Sequence, residues 1–299
     1  MSRLYCIDAS IYIFRAYFSM PDRWFNEDGY SLNAVYGYAR FLVNFIRETR
    51  PEYLMAAYDE SLGSGYRHEL YPDYKSNRVL PDDALAFQLH ACRQLGEVMG
   101  VASYAGERFE ADDYIAAAAR LAGREALPVT VVSRDKDLAQ ALCADHDEWW
   151  DYAADRRISK AEWEVGQGLR VDQVADWLAL MGDTIDAIPG VPGIGKKTAT
   201  VLLAKFGDID GLYASLDRLE EAPVRGVARL RQALLEHKEQ VYLARSLTRL
   251  NDKALRLRSC KAFRYQRPKG AKLETCLRDI GCGDRWIASL LKDFENAWV

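Results

Sequence analysis

Three short apolar segments, each followed within a few residues by an aspartate, constrain the fold of this chain more than any other feature. They cover residues 3–7, 53–58 and 128–132, and their residues are continuously apolar or β-branched rather than alternating. Such runs are typical of strands that are buried on both faces of a sheet. A fourth and shorter run, 101–104, predicts a weaker strand.

Helical patterns lie between these strands at residues 33–48, 83–99, 112–122 and 136–143. Alternation of strand and helix predicts an α/β fold with a mostly parallel central sheet flanked by helices. From about residue 160 the chain becomes helical, with patterns at 171–181, 196–205, 210–216 and 225–248. We predict an α/β core over 1–165, a helical subdomain over 166–258 and a C-terminal extension of unassigned role over 259–299.

Nine acidic residues stand at strand ends or helix starts of this pattern. They are Asp8, Asp59, Glu110, Asp112, Asp113, Asp135, Asp137, Asp183 and Asp186. Ligands of open parallel sheets bind at the carboxyl ends of the strands. Carboxylates gathered there would repel one another and take up protons unless cations held them. Because all the candidate ligand atoms are oxygen, the sequence predicts two or more hard cations, Mg²⁺ or Mn²⁺.

The net charge of the whole chain hides an excess of basic residues outside the predicted metal site. The chain has 40 Lys and Arg against 44 Asp and Glu, and this net charge of −4 alone argues against a nucleic-acid-binding protein. Without the nine acids of the predicted metal site, 35 acidic residues stand against the same 40 basic ones, a balance of +5. A polyanionic partner is therefore compatible with the composition.

The glycine-rich segment 188–200 admits more than one interpretation. Its glycines and the residues that open the next helix are Gly190, Gly193, Gly195, Lys196, Lys197 and Thr198. The spacing nearly matches a nucleotide-binding P-loop, but Lys197 stands where Ser or Thr would contact magnesium, and no strand precedes the segment. Helical patterns on both sides favour a helix-hairpin-helix that grips a DNA backbone without reading its sequence. A plain turn between helices is the remaining alternative.

Residues 60–82 have no clear period and predict a long loop or a mobile lid. Basic and aromatic side chains are interleaved in it, namely Tyr66, Arg67, Tyr71, Tyr74, Lys75 and Arg78. Bases that stack on tyrosine and phosphates that contact lysine and arginine suit single-stranded nucleic acid. Arg15, seven positions after Asp8, either faces the same acidic hollow or pairs with a structural acid.

The sequence also predicts a cytoplasmic protein with no membrane partner. No apolar run approaches the roughly 18 residues that a membrane helix needs, and the first residues do not form a secretory signal. Six cysteines without a CxxC pair indicate reduced thiols.

Taken together, these motifs resemble the 5′–3′ exonuclease and flap endonuclease family, above all the 5′-nuclease domain of bacterial DNA polymerase I. The matching motifs run in order over roughly residues 3–258, at 7–17, around Asp59, and at 74–78, 109–113, 135–137 and 182–199. The resemblance implies a PIN-like nuclease core with a helix-three-turn-helix subdomain. Because the chain ends at residue 299, we expect a stand-alone nuclease without a polymerase domain.

The resemblance implies a role for each matched residue. A first metal cluster would comprise Asp8, Asp59, Glu110, Asp112 and Asp113, and a second Asp135, Asp137, Asp183 and Asp186. The basic side chains that act on the scissile phosphate would be Lys75 and Arg78, and Tyr74 would stack on DNA. From their positions in the sequence rather than from the resemblance, we expect Arg15 to join the two cations and Arg67 to contact DNA. Gly190 to Thr198 would hold duplex DNA, with a potassium ion bound there.

The activity implied is hydrolysis of DNA at a 5′ flap, nick or 5′ end by a monomer with two metal ions, which leaves 5′-phosphate and 3′-hydroxyl products. Two departures from the polymerase form stand out: Arg134 replaces a common glycine before the second cluster, and the loop at 60–66 differs. Two alternatives stay open. One is a DNA-binding protein of the same fold with little catalysis, and the other is a magnesium-dependent phosphatase of small esters.

Overall fold

The computed structural model describes residues 2–60, 63–78, 81–268 and 270–296. Its single central sheet has the strand order β3-β2-β1-β4-β5-β6. The strands are β1 (Leu4–Asp8), β2 (Tyr53–Ala57), β3 (Ala102–Tyr104), β4 (Val129–Val132), β5 (Glu148–Asp151) and β6 (Arg156–Ser159). Neighbouring strands are parallel except for β5 and β6, which pair antiparallel. The predicted mostly parallel α/β sheet is therefore confirmed.

Helices cover both faces of the sheet and form the second half of the chain. The first seven are α1 (Ala9–Ser19), α2 (Asn33–Thr49), α3 (Tyr66–Leu70), α4 (Asp83–Val98), α5 (Ala111–Arg124), α6 (Lys160–Gln167) and α7 (Val174–Met181). They are followed by α8 (Lys196–Phe206), α9 (Ile209–Ala214), α10 (Val227–Glu236), α11 (Lys238–Thr248), α12 (Gly270–Ile280) and α13 (Asp284–Asn296). Within the described residues, no helix combines the length and the apolar character needed to cross a bilayer.

The sequence patterns missed several elements. The segment 136–143 forms a short 3-10 helix, Asp137–Ala141, rather than an α-helix, and the pattern at 225–248 is divided at His237 into α10 and α11. Neither β5 nor β6 was expected, because their short sequences carry charges at the ends and lack the β-branched run of the inner strands. The predicted lid contains α3, and its residues 61, 62, 79 and 80 lie outside the described residues.

The order in which strands are added to the sheet reverses between β1 and β4. After β1 the chain adds β2 and β3 on one side, and it then returns to add β4 on the other. Such a switch point opens a crevice at the carboxyl ends of the strands. Ser133, which follows β4, spans the crevice, since its hydroxyl donates a hydrogen bond to Asp8 at the end of β1 at 2.9 Å.

The C-terminal extension packs on the α/β core. The side chains of Leu273, Leu277 and Ile287 are buried in the same cluster as α2 and α4. Trp286 stacks on Tyr36 with ring centroids 4.0 Å apart. Residues 269 and 297–299 lie outside the described residues. The division of the chain into three domains stays a prediction.

Candidate metal and phosphate site

A cavity of about 330 Å³ lies at the carboxyl edge of the sheet. Six of the predicted acids line it, namely Glu110, Asp112, Asp135, Asp137, Asp183 and Asp186. They come from the start of α5, from the loop after β4 and from the loop after α7. The fold therefore brings together carboxylates that are up to 76 positions apart in the sequence. We call this space the acidic cavity.

Asp8 and Asp59 lie beside this cavity at the ends of β1 and β2. Asp8 is buried, and an Asp59 carboxylate oxygen accepts a hydrogen bond from the backbone N–H of Ala111 at 2.7 Å. Burial, with the charges of Asp59 and Asp135, raises the pKa of Asp8 to about 7. Burial also raises the pKa of Asp112 well above its usual range, and the charges of Asp135, Asp8 and Asp59 add to this rise. These carboxylates are thus close enough to repel one another.

The second group of acids is held by short backbone loops. The N–H of Asp137 donates to a carboxylate oxygen of Asp135 at 2.8 Å. Burial, with the charges of Asp135 and Asp183, raises the pKa of Asp137 to about 7. Asp183 and Ile188 exchange two backbone hydrogen bonds, of 2.9 and 2.8 Å, and this closes the loop that carries Asp183 and Asp186.

The donor chemistry of the site fits hard divalent cations. Every candidate ligand atom is a carboxylate oxygen. Burial is the main cause of the raised pKa values of Asp8, Asp112 and Asp137, and the neighbouring carboxylates add an excess of negative charge that a divalent ion would relieve. As the described side chains are arranged, no group of three Asp, Glu, His or Cys residues forms a ready-made metal site. Glu110 and Asp186 contact basic side chains instead.

Lys75 and Arg78 are those basic side chains. The Lys75 ammonium donates to Glu110 at 2.8 Å, and Arg78 forms an ion pair with Asp186. The backbone N–H of Lys75 donates to the carbonyl of Asp186 at 2.9 Å, so the segment is fixed to the acidic loop. Burial alone would lower the pKa of Lys75, but the charges of Glu110, Asp186 and Asp59 raise it overall. Lys75 therefore stays charged beside the acids.

Asp113 and Arg67 form a buried ion pair in the wall of the cavity, which corrects two sequence-based expectations. Both oxygens of Asp113 accept from Arg67, at 2.7 and 2.8 Å, and one also accepts from the N–H of Asn251 at 2.7 Å. Asp113 is fully buried and does not line the cavity, so it is not placed to bind a metal. Arg67 is 3% exposed and also donates to Leu247 O at 2.7 Å, so it has no free face for DNA.

Tyr74 and Arg15 also differ from expectation. Tyr74 is 3% exposed and its hydroxyl donates to Glu110 at 3.0 Å, so the ring is packed in the core and cannot stack on a base. Arg15 lies on the exposed side of α1 and lines a different groove with Arg40 and Phe41. The position of Tyr74 could not be read from the sequence, because the segment after α3 is held by Glu110 before α5 and by Asp186 in the loop after α7.

Ser133 and Arg134 precede the acidic pair Asp135 and Asp137, and only Arg134 was named from the sequence. Ser133 was not singled out, although its hydroxyl contacts Asp8 and accepts from the N–H of Asp135 at 2.9 Å. Its position between a buried strand and an acidic pair was the sequence signal that could have identified it as part of the site. Arg134 lines the cavity but pairs with Asp151 at 3.5 Å, and its side chain is mostly exposed. It therefore leaves Asp135 and Asp137 free of a cationic partner within the described residues.

The glycine-rich segment joins α7 to α8. A helix, not a strand, precedes it, which excludes the P-loop interpretation. A Cβ at Gly190 would overlap the backbone of Met181, so only glycine allows this close approach. Gly193 has a φ of +88°, and Gly195 caps α8.

The basic residues at the start of α8 differ in their contacts. Lys196 lies over the ring of Trp177 at 5.2 Å and donates to Gln167 at 3.1 Å. Lys197 is exposed and has no carboxylate partner among the described residues, while Thr198 is half-buried. Of the two lysines, Lys197 is therefore the more available to an anion.

Two family models match consecutive parts of the chain. A family model described as the 5′-3′ exonuclease N-terminal resolvase-like domain matches residues 3–167. A second, described as the 5′-3′ exonuclease C-terminal SAM fold, matches residues 169–271.

Two curated relatives illustrate the range of similarity. The chain is 33% identical over 266 residues to DNA polymerase I of Streptococcus pneumoniae, which covers 84% of this chain and 29% of the polymerase. It is 28% identical over 304 residues to a 5′-3′ exonuclease of Aquifex aeolicus, which covers 99% of this chain and 96% of the relative. The chain spans less than a third of the length of the DNA polymerase I relatives that it matches.

Solved structures show the same fold. The T5 5′-exonuclease with bound divalent metal ions (zinc) has a TM-score of 0.65 at 20% identity, with 99% of each chain covered. The catalytic core of Rad2 in complex with DNA substrate has a TM-score of 0.61 at 15% identity and covers 98% of this chain and 92% of that one.

Proposed function

The chain belongs to the 5′-3′ exonuclease family, and from that premise we propose that it is a structure-specific 5′ nuclease that hydrolyses DNA phosphodiesters. The observation that carries the proposal is the acidic cavity, where six carboxylates from distant segments lie beside Lys75 and Arg78. Substrates would be DNA with a 5′ flap, nick or 5′ end, and products would carry 5′-phosphate and 3′-hydroxyl groups. We further propose that it acts as a monomer in the cytoplasm.

Two or more Mg²⁺ or Mn²⁺ ions are part of this proposal. The residues that would hold them are Asp8, Asp59, Glu110, Asp112, Asp135, Asp137, Asp183 and Asp186. When bound, such ions lower the pKa of water and stabilise charge on the phosphate. The solved T5 5′-exonuclease, which holds divalent metal ions (zinc), supports a divalent cation as the cofactor.

Lys75 and Arg78 would stabilise negative charge on the reacting phosphate. Both side chains already lie at the acidic cavity, where they pair with Glu110 and Asp186. A phosphate that enters the cavity would replace Glu110 and Asp186 as the anionic partner of the Lys75 and Arg78 side chains. The backbone hydrogen bond between Lys75 and Asp186 would keep the segment in position during this exchange.

The hairpin between α7 and α8 would anchor duplex DNA beside the cavity. The exposed Gly193 and Gly195 permit close approach of a phosphate to the backbone, and Lys197 adds a positive charge. A potassium ion at this hairpin belongs to the same proposal. Residues 190–195 carry no ionisable side chain, so backbone oxygens would supply its ligands.

A cleavage assay tests the proposal directly. A labelled 5′-flap substrate, a nicked duplex and a blunt duplex would be incubated with Mg²⁺ or Mn²⁺, and parallel reactions would contain EDTA. We expect metal-dependent cleavage that EDTA abolishes. Tight DNA binding without cleavage under any of these conditions would favour the catalytically weak DNA-binding protein instead, and release of phosphate from small esters alone would favour a phosphatase.

The raised pKa values predict how divalent cations affect stability. Asp8 and Asp137 have pKa values of about 7 in the folded chain against an ordinary 3.8, so between these values the folded state binds more protons than the unfolded state. The free energy of unfolding in EDTA should therefore fall as pH rises from about 4 to 7. Because cations compete with protons for carboxylates, Mg²⁺ should raise Tm more at pH 8 than at pH 5.

Thermal melts with EDTA or Mg²⁺ at both pH values measure this effect. Asp137→Asn is the matched variant, since it removes one titrating carboxylate and should reduce the difference between the two pH values. Equal Mg²⁺-induced shifts at pH 5 and pH 8 would contradict the prediction.

Lys197→Ala should weaken binding of duplex DNA and lower the slope of log affinity against log salt concentration by about one, because one phosphate contact is lost. Fluorescence anisotropy at several salt concentrations in EDTA measures both quantities. Lys272→Ala, an exposed lysine of α12 remote from the hairpin, is the control and should leave the slope unchanged. A slope that is the same in wild-type protein and in Lys197→Ala would remove Lys197 from the interface.

A further inference from the structure

A second concave surface lies behind the wall of the acidic cavity. It is a groove of about 580 Å³, and six of its lining residues matter for its chemistry: Tyr66, Phe109, Arg124, Asn251, Lys253 and Arg256. We call it the rear groove. It is formed by the start of α3, the segment before α5, the end of α5 and the segment after α11.

The acidic cavity and the rear groove share the same three backbone segments. Arg67, Glu110 and Leu250 line the cavity. Their sequence neighbours Tyr66, Phe109 and Asn251 line the rear groove. The buried ion pair of Arg67 with Asp113, joined by the N–H of Asn251, forms the wall between them. A strand that passes the rim of this wall would therefore meet both surfaces.

The rear groove has an excess of positive charge. Arg124, Lys253 and Arg256 have no carboxylate partner in the part of the chain that the structure describes. The acid among its lining residues, Asp252, already pairs with Arg120 at 2.8 Å. Three uncompensated cations along one groove favour a polyanionic ligand.

Two aromatic rings lie among these cations. Tyr66 and Phe109 are half-buried, with ring centroids 5.7 Å apart. Aromatic rings bind the faces of bases only when the bases are not stacked in a duplex, whereas cations bind the backbone of either form. The combination therefore favours single-stranded over double-stranded nucleic acid.

We propose that the rear groove binds the single-stranded DNA that continues from the strand cut at the acidic cavity. The proposal rests on the proposed nuclease function for the source of that strand. The groove would hold the backbone with Arg124, Lys253 and Arg256, and bases would stack on Phe109 and Tyr66. It would thus recognise a single-stranded flap without reading its sequence.

Charge reversal at the groove tests the proposal. The variant Lys253→Glu/Arg256→Glu is compared with Lys272→Glu/Arg285→Glu, which makes the same change in net charge at exposed residues of α12 and α13. Binding of a fluorescent oligothymidylate would be measured in EDTA by anisotropy at several salt concentrations. Loss of two phosphate contacts should lower the magnitude of the salt slope by about 1.4 in the groove variant. The control pair should leave it unchanged.

Phe109→Leu isolates the contribution of stacking, because it keeps an apolar side chain but removes the aromatic face. We expect about tenfold weaker binding of the oligothymidylate, in line with the loss of one stacked base. Circular dichroism would establish that each variant is folded. Unchanged affinity and slope in folded Lys253→Glu/Arg256→Glu, or an equal change in the control pair, would overturn the proposal.

Cleavage assays separate this proposal from the proposed function. The groove variant should cut a long single-stranded flap more slowly than wild-type protein but should cut a nicked duplex at the wild-type rate, because that substrate has no single strand. An equal reduction on both substrates would count against the groove. If the wild-type protein cut no DNA, the proposed function would fail, and the binding measurement in EDTA would still decide the role of the groove.

Discussion

Asp135→Asn is expected to reduce DNA cleavage by at least about 10²–10³-fold, because a neutral amide would hold a divalent cation less tightly and the reacting phosphate would lose positive charge that stabilises its transition state. Asp135 lines the acidic cavity, and the amide oxygen of asparagine can still accept the hydrogen bond from the N–H of Asp137. The loop should therefore keep its shape while one negative charge is lost. Single-turnover cleavage of a 5′-flap substrate measures the rate, and anisotropy in EDTA measures duplex binding, which should be retained.

The matched control is Asp217→Asn, which removes the charge of an exposed aspartate in the helical part of the chain. It should cut DNA at the wild-type rate. If Asp135→Asn lost duplex binding and cleavage in equal measure, the carboxylate would belong to the DNA interface rather than to the chemistry.

Asp113→Asn should instead act on stability, with a loss of about 3–5 kcal/mol in the free energy of unfolding. Arg67 is buried, and the neutral amide would remove its closest carboxylate partner and leave only Glu110, at 3.4 Å, to compensate its guanidinium. The amide N–H groups would also oppose the Arg67 donors. Urea denaturation in EDTA measures the change without any contribution from metal binding.

Two comparisons make this prediction specific. Arg120→Ala breaks an ion pair in which the arginine is largely exposed, and should cost within about 1 kcal/mol. The double variant Arg67→Met/Asp113→Leu removes both buried charges and should be more stable than Asp113→Asn. A loss in Asp113→Asn no larger than that in Arg120→Ala would show that the buried pair is not important for stability.

The sequence predicted the location of the site because its signal is local. Asp8, Asp59 and Asp135 follow buried strands, and in a parallel sheet the ends of such strands meet at one edge. The pattern of apolar strands, each followed by an aspartate, was therefore enough to predict that these acids lie close together. The hairpin at Gly190 was predictable for the same reason, since its glycines and the helical patterns beside it lie in one continuous segment.

The sequence could not separate residues that line the cavity from those that form its wall. Asp112 and Asp113 are adjacent, yet on a helix successive side chains point about 100° apart, so only one of them reaches the cavity. Arg67 and Tyr74 lie in a polar segment that is typical of a surface loop. Both are nevertheless buried, Arg67 against Asp113 and Tyr74 against Glu110. The burial of Arg67 depends on contacts between segments that are about 45 residues apart and more, which no local pattern encodes.

The packing of α12 and α13 against α2 and α4 has a consequence for how this chain can be shortened. Leu273, Leu277 and Ile287 cover apolar side chains of the core, and Trp286 lies flat on Tyr36. A protein truncated after residue 258 would expose that hydrophobic face to water and would be prone to aggregate. The last forty or so residues therefore behave as an integral cover of the α/β half, although they follow the helical half in the sequence.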